Sequence, residues 1–433
     1  MAATASLSIL LAPFGSEGDV RPLLWLGDAL AARGHRITLI LTPYYKKFVD
    51  VRPAWRWLPL GTVEEFAAVT RDPRLWEPRR GTELVLEQML ASLQPVRALL
   101  DGAHEDFDLV IGTTLATSAF AWAEARHISR LEIHLQPLCL RSVDNCPLFM
   151  EGAEWLCHAP KFVKRAVFWL IDKMLNRQML PGVNAYRVQL GLPPVHDVND
   201  GIWHCGDRIA GFFPSWYDAP QRDWPTKIRL FGFPYTPVAE SDKPLDAALE
   251  KFLAAGAPPI LWTHGSANLH TEHFAETAVG ASKILGTRCL LVGPAAPPAG
   301  WPELPPGQFL YLPHAPFERV FARCRAVVHH GGIGTLVQAL AAGVPQLVIP
   351  RAHDQPDNAR RLENLGVGAA LSFRKLTPPT AAAKLHTLLD SPSVRTACAR
   401  YQKQILADDP LPALCAWAEE MACNGRLGEA PLP

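Results

Sequence analysis

A chain of 433 residues is too long for one hydrophobic core and suits two domains of about 200 residues each. Lys+Arg and Asp+Glu both total 42, so no global field points to nucleic acid or acidic lipid, and 48% hydrophobic with 19% charged residues is an ordinary globular balance. The cysteines number 9 and include no Cys-x-x-Cys pair, which fits reduced thiols in a reducing compartment and gives no zinc site.

The N-terminus carries no basic region, and the apolar run after it ends at Pro13; the expectation is a first strand, not a signal peptide. No stretch approaches the roughly 18 uncharged apolar residues of a spanning helix, so a cytoplasmic protein, at most peripheral to a membrane, is expected. Strand-like 8–12, a helix from about 20 to 33 and strand-like 36–41 open an alternation that 109–111 and 131–135 continue. Residues 155–190 break it. They are helical in period and combine Phe162, Val163, Val167, Phe168, Trp169, Leu170 and Ile171 with Lys161, Lys164, Arg165 and Lys173. They read as an insertion bearing an amphipathic helix. It forms a wall for an apolar ligand, touches a membrane surface, or packs on its own domain's sheet. A Pro- and Gly-rich break from Phe231 to Pro244 reads as a linker, after which strand-like 259–263, 289–292, 327–328 and 347–349 resume the pattern. Strands alternating with helices imply right-handed crossovers and parallel sheets, hence an α/β chain of two Rossmann-like halves facing across a cleft.

The sharpest signal is His329-His330-Gly331-Gly332-Ile333-Gly334-Thr335, between apolar 326–328 and helix-like 335–341. A strand there hands over to a helix N-terminus, where unpaired amides and a dipole of roughly +0.5 charge attract anions. Glycines in such turns also serve positive φ or close packing without binding anything. His330, however, can donate an imidazole hydrogen bond to a phosphate. A second polar cluster, His353-Asp354-Gln355-Pro356-Asp357-Asn358, follows strand-like 346–350. Ligands of open parallel sheets sit outside the carboxyl ends of strands, and both clusters lie at such ends. His329 is expected to pack behind the anion site. His353 either contacts the ligand or shapes the turn.

The order His-Gly-Gly-x-Gly-Thr (330–335), Ala-Gly-Val-Pro-Gln (342–346) and Asp-Gln-x-x-Asn-Ala (354–359) resembles the sugar-donor half of family 1 glycosyltransferases. The resemblance implies the GT-B fold, with an acceptor-binding domain at 1–235 (insertion at about 155–190), a nucleotide-sugar-binding domain at 236–409, and a helix in 410–433 crossing back to the first domain. It implies that His330, Gly332, Gly334 and Thr335 hold the diphosphate and that Asp354 and Gln355 bond the sugar hydroxyls. Gln338 stands where plant members carry a ribose-binding Glu. Tyr311, in Tyr-Leu-Pro-His, would stack on the base and Leu312 meet its edge through backbone; Ser266 matches a further phosphate contact. No His/Asp/Glu cluster has metal-ligand spacing. Members of this fold use amides and the helix dipole where others use a divalent ion, so no metal and no cofactor are expected, the nucleotide-sugar being a co-substrate.

Inverting transfer needs a base for the acceptor hydroxyl. The turn after the first strand, Gly15-Ser16-Glu17-Gly18-Asp19-Val20, puts Asp19 at a helix start facing the cleft, where sterol- and antibiotic-glycosylating relatives also show Gly-Asp-Val. Asp19 is the candidate base; its alternative role is to satisfy helix amides and dipole. Glu17 and His134 are the next candidates, His134 reading equally as a core histidine.

Most of the chain further resembles one bacterial group, the rhamnosyltransferases of rhamnolipid synthesis. The matching pieces include Asp72-Pro73-Arg74-Leu75-Trp76-Glu77-Pro78, Phe213-Pro214-Ser215-Trp216 and Gly232-Phe233-Pro234. This implies dTDP-L-rhamnose as donor and a 3-(3-hydroxyalkanoyloxy)alkanoate lipid as acceptor, with Trp76, Phe149, Trp169 and Trp216 as candidates for an apolar acceptor channel. It implies no nucleic-acid partner, and peripheral contact with the inner membrane or with the enzyme that makes the lipid. The alternatives are another nucleotide-sugar with a sterol, polyketide or other apolar acceptor, a nucleotide-sugar epimerase, and a silent binding module.

Overall fold

The computed structural model describes residues 6–235, 245–265, 272–293, 305 and 307–426. Ser266 and most of the linker lie outside them. The first half is a seven-stranded parallel sheet in the order β3-β2-β1-β4-β5-β6-β7. Its strands are β1 (Ser8–Ala12), β2 (Arg36–Leu41), β3 (Arg56–Pro59), β4 (Leu109–Thr113), β5 (Ser129–His134), β6 (Arg208–Gly211) and β7 (Ile228–Leu230). The second half is a six-stranded parallel sheet in the order β10-β9-β8-β11-β12-β13. Its strands are β8 (Ile260–Thr263), β9 (Cys289–Val292), β10 (Phe309–Leu312), β11 (Ala326–His329), β12 (Gln346–Val348) and β13 (Gly368–Ala370). Every residue of β1, β8, β9 and β11 is buried, which is why these strands are continuous apolar runs and not alternating ones.

Strand order reverses between β1 and β4 in the first sheet and between β8 and β11 in the second. These switch points leave a crevice at the carboxyl ends of the strands. The Asp19 turn follows β1, the Thr263-His264-Gly265 turn follows β8, and the glycine turn follows β11, so topology alone directs all three to crevices. One apolar cluster joins the halves, running from Leu11, Leu23 and Ile133 to Leu336, Leu340 and Leu362. The C-terminal helix Leu411–Arg426 lies on the first half. Its Glu419 carboxylate accepts from Arg33 Nε (2.5 Å) and Nη2 (2.6 Å), and His35 Nε2 stands 2.8 Å from it.

The first helix is Glu17–Ala32, beginning before the apolar period expected from 20. Its first turn is closed by polar bonds from Ser16 to Asp19 that an apolar period does not register. The helix Arg80–Ala103, with Pro95 inside it, and the short strands β3, β6, β7, β10 and β13 add to the elements expected. The insertion is a short helix, Glu154–His158, followed by a 29-residue helix, Lys161–Gln189. That helix packs Met179, Val183 and Tyr186 on Leu86, Met89 and Leu93 of Arg80–Ala103, so its support is a neighbouring helix, not the sheet. Among the described residues no helix is long and apolar enough to cross a membrane, and no group of three or more His, Cys, Asp or Glu is arranged to hold a metal ion.

Candidate active site

The turn after β1 is built around the Asp19 carboxylate. Ser16 donates to Asp19 Oδ2 twice, from its backbone N–H (2.7 Å) and its hydroxyl (2.9 Å). Gly15 has φ 127°, and a Cβ there would stand 2.4 Å from Asp19 Oδ2; only glycine lets this carboxylate fold back over the turn. Burial raises the Asp19 pKa above the ordinary aspartate value, and the Ser16 bonds oppose that rise. The result is a carboxylate that holds a proton more firmly than a free aspartate, which improves it as a base.

Across the crevice, Gly331 (φ 96°) turns the chain where a Cβ would meet Val348 Cγ1 at 2.7 Å. A Cβ on either Gly265 or Gly332 would fall 2.5 Å from a ring atom of His330. The imidazole is thus packed against both backbones. Burial pushes His330 down to about 4, so it is neutral at physiological pH and offers an uncharged N–H. Its Nδ1 is buried with no hydrogen-bond partner among the described residues. His329 is fully buried behind it. His329 Nε2 stands 2.9 Å from Gln346 Oε1, and Nδ1 accepts the Gly331 N–H at 3.1 Å, fixing both tautomer and turn. Burial, then the neighbouring His330, pushes His329 down to about 3.

The helix Ile333–Ala342 starts at this turn, and a Cβ on Gly334 would stand 3.7 Å from Gly18 Cα of the first helix. Two helix N-termini therefore converge, summing two positive dipole ends over one spot. A cavity of ≈ 340 Å³ opens there, lined by Gly18, Gly265, Gly334, Thr335 and Gln338 and, further along, by Pro313 and His314. Arg21, Trp25, Tyr44 and Lys47 line it from the first half.

Asp354 precedes the helix Gln355–Leu365. Burial first, and then the charge of Asp19, push its pKa up to about 7. The two carboxylates, 335 positions apart in sequence, are thus near enough to repel each other. Asn358 stands in the sequence motif without a role of its own, yet it holds Asp354 in place: its Nδ2 donates to Asp354 Oδ2 (2.7 Å) and to the Gly331 carbonyl (2.9 Å), while its Oδ1 accepts from the Tyr217 hydroxyl (2.8 Å). The signal was present in the Asp-Gln-x-x-Asn spacing, since residues i and i+4 share a helix face. One turn on, Arg361 pairs with Asp357 (2.6 Å) and with Asp218 of the first half (3.0 Å), all three nearly without exposure. The Leu148 N–H also donates to Asp357 (2.9 Å).

The remaining sequence candidates fall in varied places. Gln355 is buried, and its Oε1 accepts the N–H groups of Arg351 (2.8 Å) and Ala352 (3.3 Å). His353, at φ 61°, places Nε2 2.9 Å from the Leu75 carbonyl and lies edge-on to Trp76 at 6.1 Å, so it shapes the turn and ties it to the first half. Gln338 donates to the Gly334 carbonyl at 3.3 Å. Tyr311 sends its hydroxyl to the Gly293 carbonyl (2.9 Å) and Leu312 accepts the Gly293 N–H (3.1 Å); it is Pro313 and His314, just after them, that line the cavity. Glu17 is paired with Arg21 at 2.6 Å. His134 has no exposure, with Nε2 2.8 Å from Glu132 Oε1. Phe149 lies edge-on to Phe168 at 5.9 Å. Trp216 is half-buried against Tyr217, Phe233 and Tyr401, and Trp169 is 58% exposed on the outer face of the long helix.

Two parallel-sheet α/β halves with crevices facing each other define a GT-B architecture. Among solved structures, the glycotransferase of kitacinnamycin matches at TM-score 0.74 and 20% identity, over 96% of this chain and 99% of that one. The spinosyn rhamnosyltransferase SpnG matches at 0.65 and 17%, over 96% and 100%. Residues 303–420 match the family "Erythromycin biosynthesis protein CIII-like, C-terminal domain". Glycosyltransferase GtfC of Amycolatopsis orientalis is 32% identical over 84% of this chain and 86% of its own length. O-mycaminosyltylonolide 6-deoxyallosyltransferase of Streptomyces fradiae is 29% identical over 98% and 100%. The chain belongs to the family 1 glycosyltransferases of the GT-B fold.

Proposed function

We propose that the protein transfers L-rhamnose from dTDP-L-rhamnose, with inversion, to the hydroxyl of a 3-(3-hydroxyalkanoyloxy)alkanoate lipid, giving a mono-rhamnolipid. The observation that carries a transfer reaction is Asp19 placed opposite the glycine turn, close enough to raise the pKa of Asp354. Asp19 takes the acceptor proton as the oxygen attacks the anomeric carbon. The departing diphosphate is met by the amides at the start of Ile333–Ala342, the N–H of neutral His330 and the dipole of the facing helix; no metal or cofactor takes part in this account. Asp354 and the Gln355 amide hold the sugar hydroxyls. Pro313 and His314 border the base beside Tyr311 and Leu312, and Ser266 supplies a further phosphate contact. The identity of sugar and lipid rests on the Asp-Pro-Arg-Leu-Trp and Phe-Pro-x-Trp pieces shared with the rhamnolipid group. Among the aromatic candidates for the acceptor channel, the half-buried Trp76, Phe149 and Trp216 suit it better than the outward-facing Trp169.

A second reading is favoured by the relatives: the O-mycaminosyltylonolide enzyme points to a polyketide or other antibiotic acceptor, and dTDP-epi-vancosaminyltransferase, 28% identical over 90% of this chain, to a dTDP-sugar of another kind. The purified protein is incubated with dTDP-L-rhamnose, other dTDP- and UDP-sugars, and either the hydroxyalkanoyl lipid or a macrolide aglycone, and nucleoside diphosphate release is followed. Release that requires both dTDP-L-rhamnose and the lipid supports the first reading. Release only with an aglycone supports the second, and conversion of the donor with no acceptor identifies an epimerase.

A further inference from the structure

The long helix Lys161–Gln189 has two apolar faces, and the protein covers one. On the inner face Met179, Val183 and Tyr186 are buried, and Phe14 and Leu115, in the loops after β1 and β4, pack on the same cluster. On the outer face Phe162 is 72% exposed, Trp169 58%, Leu170 59% and Met174 61%. Their spacing of seven, eight and twelve residues puts them in one stripe. Arg165, Lys173 and Arg177 are exposed, Lys173 and Arg177 within that stripe and Arg165 on its flank, and Lys173 Nζ lies 5.7 Å over the Trp169 ring. The only carboxylate on the helix, Asp172, pairs with Arg141 at 2.6 Å. The chain as a whole carries 42 cationic and 42 acidic residues, so a stripe with cations and no unpaired acid is a local feature.

Apolar and aromatic side chains bordered by Lys and Arg, with no free carboxylate, suit a surface that is greasy in depth and anionic at its rim. We propose that this face docks on an anionic phospholipid bilayer. Phe162, Trp169, Leu170 and Met174 enter the boundary between headgroups and acyl chains, and Arg165, Lys173 and Arg177 meet the phosphates. Because the inner face adjoins the loop leading to Asp19, docking sets the acceptor side of the cleft beside the bilayer. This deepens the proposed function, since a lipid acceptor is drawn from that surface, but vesicle binding itself needs no acceptor and no sugar.

The test is co-sedimentation of the full chain with vesicles of phosphatidylcholine containing about 30% phosphatidylglycerol, against pure phosphatidylcholine. Each cation contributes roughly five-fold in affinity, so Arg165→Gln, Lys173→Gln and Arg177→Gln together should weaken binding by roughly 10²-fold. Replacing Phe162, Trp169 and Leu170 by Ser should abolish sedimentation. All six positions are exposed, and unchanged affinity for thymidine diphosphate certifies the fold of each variant. Wild-type protein that stays in solution with anionic vesicles overturns the proposal, as does a charge variant that sediments like wild type. A lipid-free dimer in sedimentation velocity that Trp169→Ser dissociates also overturns it, because the stripe would then serve self-association. Vesicle binding without lipid-dependent nucleotide release would leave docking standing and sink only the lipid acceptor.

Discussion

Asp354→Asn should make the protein more stable at neutral and alkaline pH. Asp354 carries a pKa of about 7 against an ordinary 3.8, through burial first and then the Asp19 charge. Below pH 3.8 the group is protonated in folded and unfolded chains alike, and its neutral form fits the interface. As pH rises from 3.8 to about 7 the unfolded chain loses the proton while the folded chain keeps it, so stability falls; above that both are ionised and the loss is complete. About three decades of proton affinity at about 1.4 kcal/mol each set an upper bound of ~4 kcal/mol. Asn removes this titration and keeps an oxygen for the Asn358 amide that now bonds Asp354 Oδ2 at 2.7 Å. Urea unfolding of both proteins from pH 4 to 8.5 gives the difference in stability, in which titrating groups not coupled to Asp354 cancel. The variant should gain progressively toward pH 8, by a few kcal/mol, while losing activity. A difference that is flat with pH, or that falls as pH rises, refutes the argument that Asp354 is held ionised against its surroundings.

Three further outcomes are expected. Asp19→Asn should lower turnover by roughly 10²–10⁴-fold with affinity for thymidine diphosphate, read by calorimetry, nearly unchanged; comparable turnover would move the base elsewhere. Gly15→Ala places a methyl 2.4 Å from Asp19 Oδ2 at φ 127°, so it should cost ~1–3 kcal/mol in backbone strain and depress turnover more than nucleotide affinity, a pairing that a merely destabilised fold would not give. Asn358→Ala strands the Tyr217 hydroxyl, the Gly331 carbonyl and Asp354 and should destabilise by ~1–3 kcal/mol while raising the KM for the nucleotide-sugar; unchanged KM would show that Asp354 needs no such support.

Both sheets and the glycine turn were legible because their signals are local. A buried parallel strand is an apolar run, and Gly331 at φ 96° needs glycine whatever lies around it. Short strands such as β13, and a helix carrying Pro95, gave no comparable run. At the site, sequence named the residue types but not which atoms were already engaged. Gln355 has spent its oxygen on the N–H donors of Arg351 and Ala352 in its own turn, and His353 reaches across to the Leu75 carbonyl, an acceptor that tertiary packing brings to it. Trp216 and Trp169 have the same chemistry in sequence; one is half-buried against three aromatic rings and the other is 58% exposed, a difference set by the fold around them. Asn358 was visible in the motif but its role was not, for a related reason. Its importance is that three separate segments meet on one amide.

The same Asp354 that weakens the fold gives nucleotide-sugar binding a proton signature. In the free protein at pH 7 its carboxyl is about half protonated, given a pKa of about 7. Sugar hydroxyls that donate to it favour the carboxylate, each such bond to a charged acceptor being worth ~1.5–3 kcal/mol. The diphosphate pulls the other way, since its charge favours the acid. However, the two helix N-termini that meet at Gly18 and Gly334 supply roughly +0.5 charge each next to it, which leaves the hydroxyl bonds to decide the sign. Binding of a dTDP-sugar at pH 6.5–7 should therefore release part of a proton, while thymidine diphosphate alone should release none or take one up. Calorimetry in buffers of different ionisation enthalpy measures both. Proton uptake with the intact sugar would place its hydroxyls away from Asp354, and the same release in Asp354→Asn would assign the proton to another group.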